Sequence, residues 1–94
     1  MKASALVEIG EKAVERHRLD VAKKQAKAAL IEAYIQWKDG VSVDHVERHS
    51  KDWEEMMVDT KPQFDAFKRA SSAAYNAKSR LERAIVRGPR FDYL

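Results

Sequence analysis

The second half of the chain repeats apolar residues in alternating steps of four and three, from Val43 to Arg87 and through a proline. This spacing places them on one stripe of an α-helix. The first row of the stripe is Val46, Trp53, Thr60, Phe67, Ala74 and Leu81. The second row is Ser50, Met57, Phe64, Ser71, Lys78 and Ile85. Because eight of these twelve positions are apolar, the pattern predicts a long helix with a coiled-coil-like seam over residues 44–87.

The first half predicts another long helix, over residues 5–38. Neither glycine nor proline occurs between Glu11 and Asp39. Ser4 is placed to cap the start of this helix, and Gly40 lies just past its end. Residues 39–43 then form the turn. Asp44 and Glu47 resemble a capping box for the second helix, with Ser42 as a rival cap.

Pro62 allows two interpretations of the second helix. Residues 60–63 (Thr-Lys-Pro-Gln) have the form of a capping box that would open a third helix. A proline inside a helix costs about 3 kcal/mol. However, a loop would normally reset the helical phase, and here Trp53, Thr60 and Phe67 stay in register. We therefore favour one continuous helix kinked near Pro62, with more than 75% of the chain helical.

Alanines on both helices predict that they pack together as an antiparallel hairpin. Small side chains allow the two helix axes to approach closely. The first helix carries such a row at Ala22, Ala26, Ala29 and Ala33, and the second at Ala66, Ala70, Ala73, Ala74, Ala77 and Ala84. The first helix also has a strict seven-residue row, namely Val7, Val14, Val21, Ala28 and Ile35.

The apolar arcs of both helices are wider than one partner helix covers. We therefore expect an all-α hairpin that forms a dimeric bundle. The large residues assigned to the core or to self-association are Trp37, Trp53, Phe64, Phe67 and Leu81.

Composition is consistent with a single helical domain over residues 1–94, with a tail at 88–94. Apolar residues make up 45% and charged residues 35% of the chain, which is typical of helical bundles rather than disordered chains. There is no cysteine, so disulfides and thiolate metal sites are excluded. No run approaches the ~20 apolar residues of a membrane span. We expect a cytoplasmic protein without a membrane segment.

Charge is distributed unevenly along the chain. Residues 1–38 carry a balance of +3, residues 39–59 a balance of −5 and residues 60–94 a balance of +5. Complementing the helix dipole is one explanation. The other is a basic C-terminal surface that meets an acidic partner or phosphates. The residues assigned to partner binding are Arg80, Arg83, Arg87, Arg90, Phe91 and Tyr93.

Few residues have a spacing that suggests chemistry. His45, His49 and Asp52 would share one face of a helix and have metal-ligand side chains. No other residue completes a ligand set, and we favour the explanation that these are surface histidines on an acidic helix. Glycine-rich phosphate loops and a nucleophile with its base are absent from the sequence. We predict no enzymatic activity, no cofactor and no metal.

The segment from Gly40 to His49 has a glycine, then Val41, Ser42 as a cap, and Val46 six residues after the glycine. In these positions it resembles the turn and recognition helix of helix-turn-helix DNA-binding domains. The resemblance implies a DNA-reading helix. Gln36 departs from the pattern, which expects a small residue there, and the helix would carry the acidic segment. A simple hairpin turn needs the same glycine and cap.

The sequence as a whole predicts a small non-enzymatic module that binds another protein through its helical faces. An adaptor, an inhibitor or a phage-type accessory protein would fit, the last by analogy of size and simplicity alone. The alternative is a small nucleic-acid-binding protein. It would use the basic C-terminal helix or the degenerate helix-turn-helix around Gly40–His49.

Overall fold

The computed structural model describes residues 3–87, which form three helices and no strand. Helix α1 spans Ala3–Gly40, α2 spans Lys51–Asp59 and α3 spans Lys61–Arg87. Helix accounts for 87% of the described residues. The predictions of an all-α chain and of more than 75% helix are therefore confirmed. The predicted tail at 88–94 lies outside the described residues.

Helices α1 and α3 lie side by side in opposite directions and form a hairpin. Arg80 near the end of α3 reaches Glu15 near the start of α1, at 2.9 Å between Nη2 and Oε1. At the other end, Trp37 Nε1 donates to Asp59 Oδ2 at 2.8 Å. The molecule is a rod 64 Å long and 20 by 19 Å across. The core is correspondingly thin, a seam between α1 and α3, with Met56 of α2 also buried.

The seam of α3 contains one of the two predicted rows but not the other. Thr60, Ala74 and Leu81 of the first row are buried. The second buried row runs through Ala77, which is 1% exposed, and Ala84. It therefore lies one residue earlier than predicted. Alanine has little side-chain volume, so a row of alanines brings the two backbones together, and the larger residues of the predicted second row, Phe64 and Ile85, stand beside the contact.

Those larger residues are exposed. Phe64 and Ile85, both assigned to the second row of the seam, have 38% and 53% of their surface exposed. On α1, the large buried residue is Leu30. Ala22, Ala26 and Ala33 are half-buried, while Ala29 is exposed.

Helix α1 ends two residues later than predicted, and Gly40 is its last residue. The residue that leaves the helix is Ser42, with a φ of 58°. Val43 N donates to Lys38 O at 3.0 Å, and Ser42 N donates to Asp39 O at 3.2 Å. This pair of hydrogen bonds is the Schellman motif, in which the left-handed position is usually glycine. Ser42 therefore takes the role that we expected for Gly40.

The second helix begins at Lys51 rather than near residue 44. Residues 41–50 are turns and irregular backbone. Ser50 is the cap: its Oγ accepts from Trp53 N at 3.1 Å, and Asp52 and Glu54 lie in the first turn. Glu47 takes part in a turn instead, since its carbonyl accepts from Ser50 N. A serine cap followed by acidic residues satisfies free N–H groups and complements the helix dipole. The helix therefore starts after Ser50 and not after the predicted cap, Asp44.

The helix predicted as continuous is divided at Thr60. Thr60 N and Oγ1 both donate to Met56 O, at 2.9 and 2.6 Å, and Phe64 N donates to Thr60 O at 3.0 Å. Pro62 has no N–H to donate to Val58. In the first turn of α3 an N–H has no helical partner in any case, so the proline is accommodated there.

Candidate binding surfaces

Arg80, one of the predicted partner-binding residues, is engaged within the hairpin. Its guanidinium bridges Glu15 across the two helices, and both side chains are 38% exposed. Sequence reasoning assigned Arg80 to a free basic surface because its partner is 65 residues away in the chain. The antiparallel register of α1 and α3 brings the two charges together.

The same complementarity continues toward the end of the hairpin. Glu8 and Arg87 line one shallow depression, together with Ala5 and Ala84. Glu8 also lies 3.9 Å from the Lys12 ammonium. Glu8 at the start of α1 and Arg87 at the end of α3 therefore lie at the same end of the hairpin, and their opposite charges are compatible with the antiparallel arrangement.

The last two turns of α3 still present charge and apolar surface to solvent. Glu82, Arg83, Val86 and Arg87 line one open depression with Ser79. Val86 is 80% exposed. We call Glu82, Arg83, Val86 and Arg87 the α3 end patch. It contains two of the predicted partner-binding residues, Arg83 and Arg87. Three others, Arg90, Phe91 and Tyr93, lie outside the described residues.

The large aromatic residues assigned to the core lie mainly near the loop end of the hairpin. Trp37, Trp53 and Phe67 are half-buried. The ring of Trp53 packs against His49, with centroids 4.9 Å apart and planes tilted by 56°. Phe64 lies on the surface, with the Lys68 ammonium 5.7 Å from its ring centroid.

The strict seven-residue row of α1 is exposed to solvent. Val14 is 70% exposed and Val7 58%, and Val21 and Ile35 are exposed to a smaller degree. Leu6 and Ile31, which flank the row, are exposed as well. We call Val7, Val14, Val21, Ala28 and Ile35 the outer row of α1. Because α1 is apolar on two sides, only one of which meets α3, the outer row is an exposed apolar surface without a helix against it in the described chain.

The residues singled out for metal binding and DNA reading do not adopt the geometry that either role needs. His45 and His49 lie in the irregular segment 41–50, and His49 has a φ of 67°. Between residues 3 and 87, no group of three or more histidine, aspartate or glutamate side chains is close enough to hold a metal ion. The recognition helix implied by the helix-turn-helix resemblance does not form, since α2 starts only at Lys51.

Comparisons with known proteins do not assign the chain to a family. No protein-family model matches it, and no curated protein or solved structure shows significant similarity to it. Within residues 3–87, no helix is both long and apolar enough to cross a membrane.

Proposed function

We propose that the protein is a small non-enzymatic module that binds another protein through the α3 end patch. The observation that carries the proposal is an exposed valine, Val86, between two arginines one helical turn apart. Arginine is enriched at protein interfaces, and the buried centre of an interface is more apolar than the rest of the surface. The paired Arg80 differs from Arg83 and Arg87 because Glu15 already holds its guanidinium.

The partner that fits this patch is an acidic protein surface with an apolar residue at its centre. Two guanidinium groups favour carboxylates, which they bind through two parallel hydrogen bonds. Arg90, Phe91 and Tyr93, which follow the patch in the sequence, carry a guanidinium and two aromatic rings, groups that are enriched at protein interfaces. An adaptor or an inhibitor would act in this way, by occupying a partner's surface.

Affinity capture from a lysate of the native host tests the proposal. We expect the wild-type protein to retain at least one protein that Val86→Asp and Arg83→Ala variants lose. Val58→Asp is the matched control, because Val58 is 72% exposed on α2, away from the patch. Circular dichroism confirms that each variant keeps its helix content. If the retained proteins are the same for all four chains, the α3 end patch is not the binding site.

Nucleic-acid binding is the second candidate, favoured by the cations that remain exposed. Lys23, Lys24 and Lys27 line one depression on α1 with His17 and Asp20. A polyanion would use them together with Arg83 and Arg87, and its binding would weaken steeply with added salt. Recovery of nuclease-sensitive material in the capture experiment, lost at moderate salt, would select this candidate.

A further inference from the structure

We propose that the outer row of α1 is occupied by α1 of a second copy of the chain, running antiparallel to the first. This surface is separate from the α3 end patch, so the inference does not depend on the proposed function. The argument rests on the period of the row, the length of the face and the distribution of charge along α1.

The period of the row indicates that its partner is a helix. A straight α-helix has 3.6 residues per turn, so residues exactly seven apart drift slowly around it unless the helix supercoils with another helix. Val7, Val14, Val21, Ala28 and Ile35 keep the seven-residue step over the length of α1. The α1 surface that packs on α3 carries Leu30 instead. The outer row therefore has the seven-residue repeat of one of the two core positions of a coiled coil whose second strand lies outside this hairpin. The other core position would be filled by Gly10, His17, Lys24, Ile31 and Lys38.

The length of the face limits what covers it. From Val7 to Ile35 the row extends about 42 Å along the axis. A matching partner is a straight helix of about 28 residues or more with its own apolar row. The α1 helix of another copy, at 38 residues, has this length and, by identity, this row.

Charge favours the antiparallel arrangement. The first half of α1, residues 3–21, has four acidic and three basic side chains, a balance of −1. The second half, residues 22–40, has four basic and two acidic side chains, a balance of +2. A parallel pair would place like beside like and set Lys24 against its own copy. An antiparallel pair brings the two halves of opposite sign together.

The antiparallel arrangement also places an apolar or small residue opposite two members of the outer row. With the layers of a coiled coil, Val14 meets Ile31 of the second copy, and Ile35 meets Gly10. Lys24 then lies beside Val21 of the second copy, where its long side chain can extend to solvent. Asp20 lies near Lys27 of the second copy, and symmetry repeats this pair. On the other flank, Glu11 approaches Glu32 of the second copy. These two residues have like charges, and both lie at the solvent-exposed edge of the interface.

Sedimentation equilibrium of the purified chain at micromolar concentration gives the first test. We expect a mass of twice 10.8 kDa for the wild type. Val14→Glu should weaken the dimer at least about tenfold, because it places a charge inside the interface. Val58→Glu, a control of nearly equal exposure outside the row, should leave the dimer unchanged. Since Val14 is 70% exposed in the single chain, its replacement should not unfold the hairpin, which circular dichroism checks.

Spin labels give the direction of pairing. The chain has no cysteine, so single Glu11→Cys and Gln25→Cys variants each carry one label per copy. In the antiparallel dimer we expect the labels at residue 25 to lie within about 20 Å and those at residue 11 to lie roughly 35 Å apart. A parallel dimer would give short distances at both positions.

Each other outcome overturns the proposal. A wild type that sediments as a 10.8 kDa monomer rules out the second copy as occupant, even where it captures another protein through the outer row. A dimer that Val14→Glu leaves intact uses a different surface. Short distances at residue 11 rule out the antiparallel pair. None of these results bears on the α3 end patch, whose test depends on Val86 and Arg83.

Discussion

Ser42 ends helix α1 in the left-handed region of backbone space, where a Cβ atom is unfavourable. Replacing Ser42 by glycine removes this strain and should raise the free energy of unfolding by about 0.5–1 kcal/mol. Thermal denaturation would detect the gain as a higher melting temperature. The control is Ser72→Gly, at an exposed position within α3, which should lower stability by roughly 0.5 kcal/mol. A loss at both positions would mean that Ser42 is not the Schellman residue.

Asp65 is a carboxylate whose pKa is changed by its neighbours on α3. The Lys61 ammonium donates to Asp65 Oδ2 at 2.8 Å, one helical turn away. This hydrogen bond, together with the charges of Lys61, Arg69 and Lys68, lowers the pKa of Asp65 below its ordinary value. Because the folded pKa is depressed, the interaction stabilises the fold above the unfolded pKa and is lost as the pH falls through the folded pKa.

A Lys61→Met variant tests this effect. We expect the pKa of Asp65 to rise toward the ordinary aspartate value, as measured by an NMR titration of its side-chain carboxyl carbon. Lys61→Arg retains the positive charge and should leave the pKa low. An unchanged pKa in the methionine variant would assign the effect to Arg69 and Lys68 instead.

At the scale of the elements, alanines occupy most of the buried positions of α3. The sequence pattern selects Ile85 for the seam, whereas the structure buries Ala77 and Ala84. Ala77→Leu should therefore overpack the contact with α1 and lower the free energy of unfolding by about 1–3 kcal/mol. Ile85→Ala should cost less than roughly 1 kcal/mol, because more than half of Ile85 is already in solvent.

Urea denaturation of the two variants measures both effects on one scale. Circular dichroism at 222 nm is a suitable signal, since most of residues 3–87 are helical. The reverse order, with Ile85→Ala the more damaging change, would place the row predicted from the sequence in the seam.

The elements also show where local sequence signals were sufficient. The absence of glycine and proline from residue 11 to residue 39, together with Ser4 and Gly40 as end signals, predicted α1 to within two residues at each end. Helix starts were harder, because Ser42, Asp44 and Ser50 are all acceptable caps. The signal that distinguishes Ser50 was present, since Asp52 and Glu54 follow it in the first turn. The seven-residue phase concealed it, because Ser50 fitted the second row.

At the scale of the whole molecule, opposite charges on α1 and α3 lie near each other in the register that the hairpin adopts. Acidic residues at the start of α1 face basic residues at the end of α3, and Glu15 and Arg80 make the direct contact. Reversing either charge alone should destabilise the hairpin by about 0.2–1 kcal/mol, since both groups are partly exposed. The double reversal, Glu15→Arg with Arg80→Glu, should recover most of the loss.

A double-mutant cycle in thermal denaturation measures this coupling, and added salt should reduce it. The Lys61–Asp65 pair within α3 is a useful comparison, because its reversal does not affect the α1–α3 register. A coupling of zero between Glu15 and Arg80 would leave packing of the alanine rows as the determinant of register.

The sequence by itself determined the features that depend on neighbours in the chain. Helical content, the extent of α1 and the alanine-rich faces follow from local preferences and periodicity, which act over a few residues. The hairpin itself followed from these faces, because rows of small residues on two helices favour close packing.

Only the tertiary structure decided which residues meet across that contact. Whether Ala77 or Lys78 faces α1 depends on the distance between the two helix axes. Consecutive residues point about 100° apart around a helix, so a shift of one position changes every residue that faces α1. The same register gives Arg80 a partner in Glu15 and turns the outer row of α1 away from α3. These relations join residues far apart in the chain, so no local preference contains them.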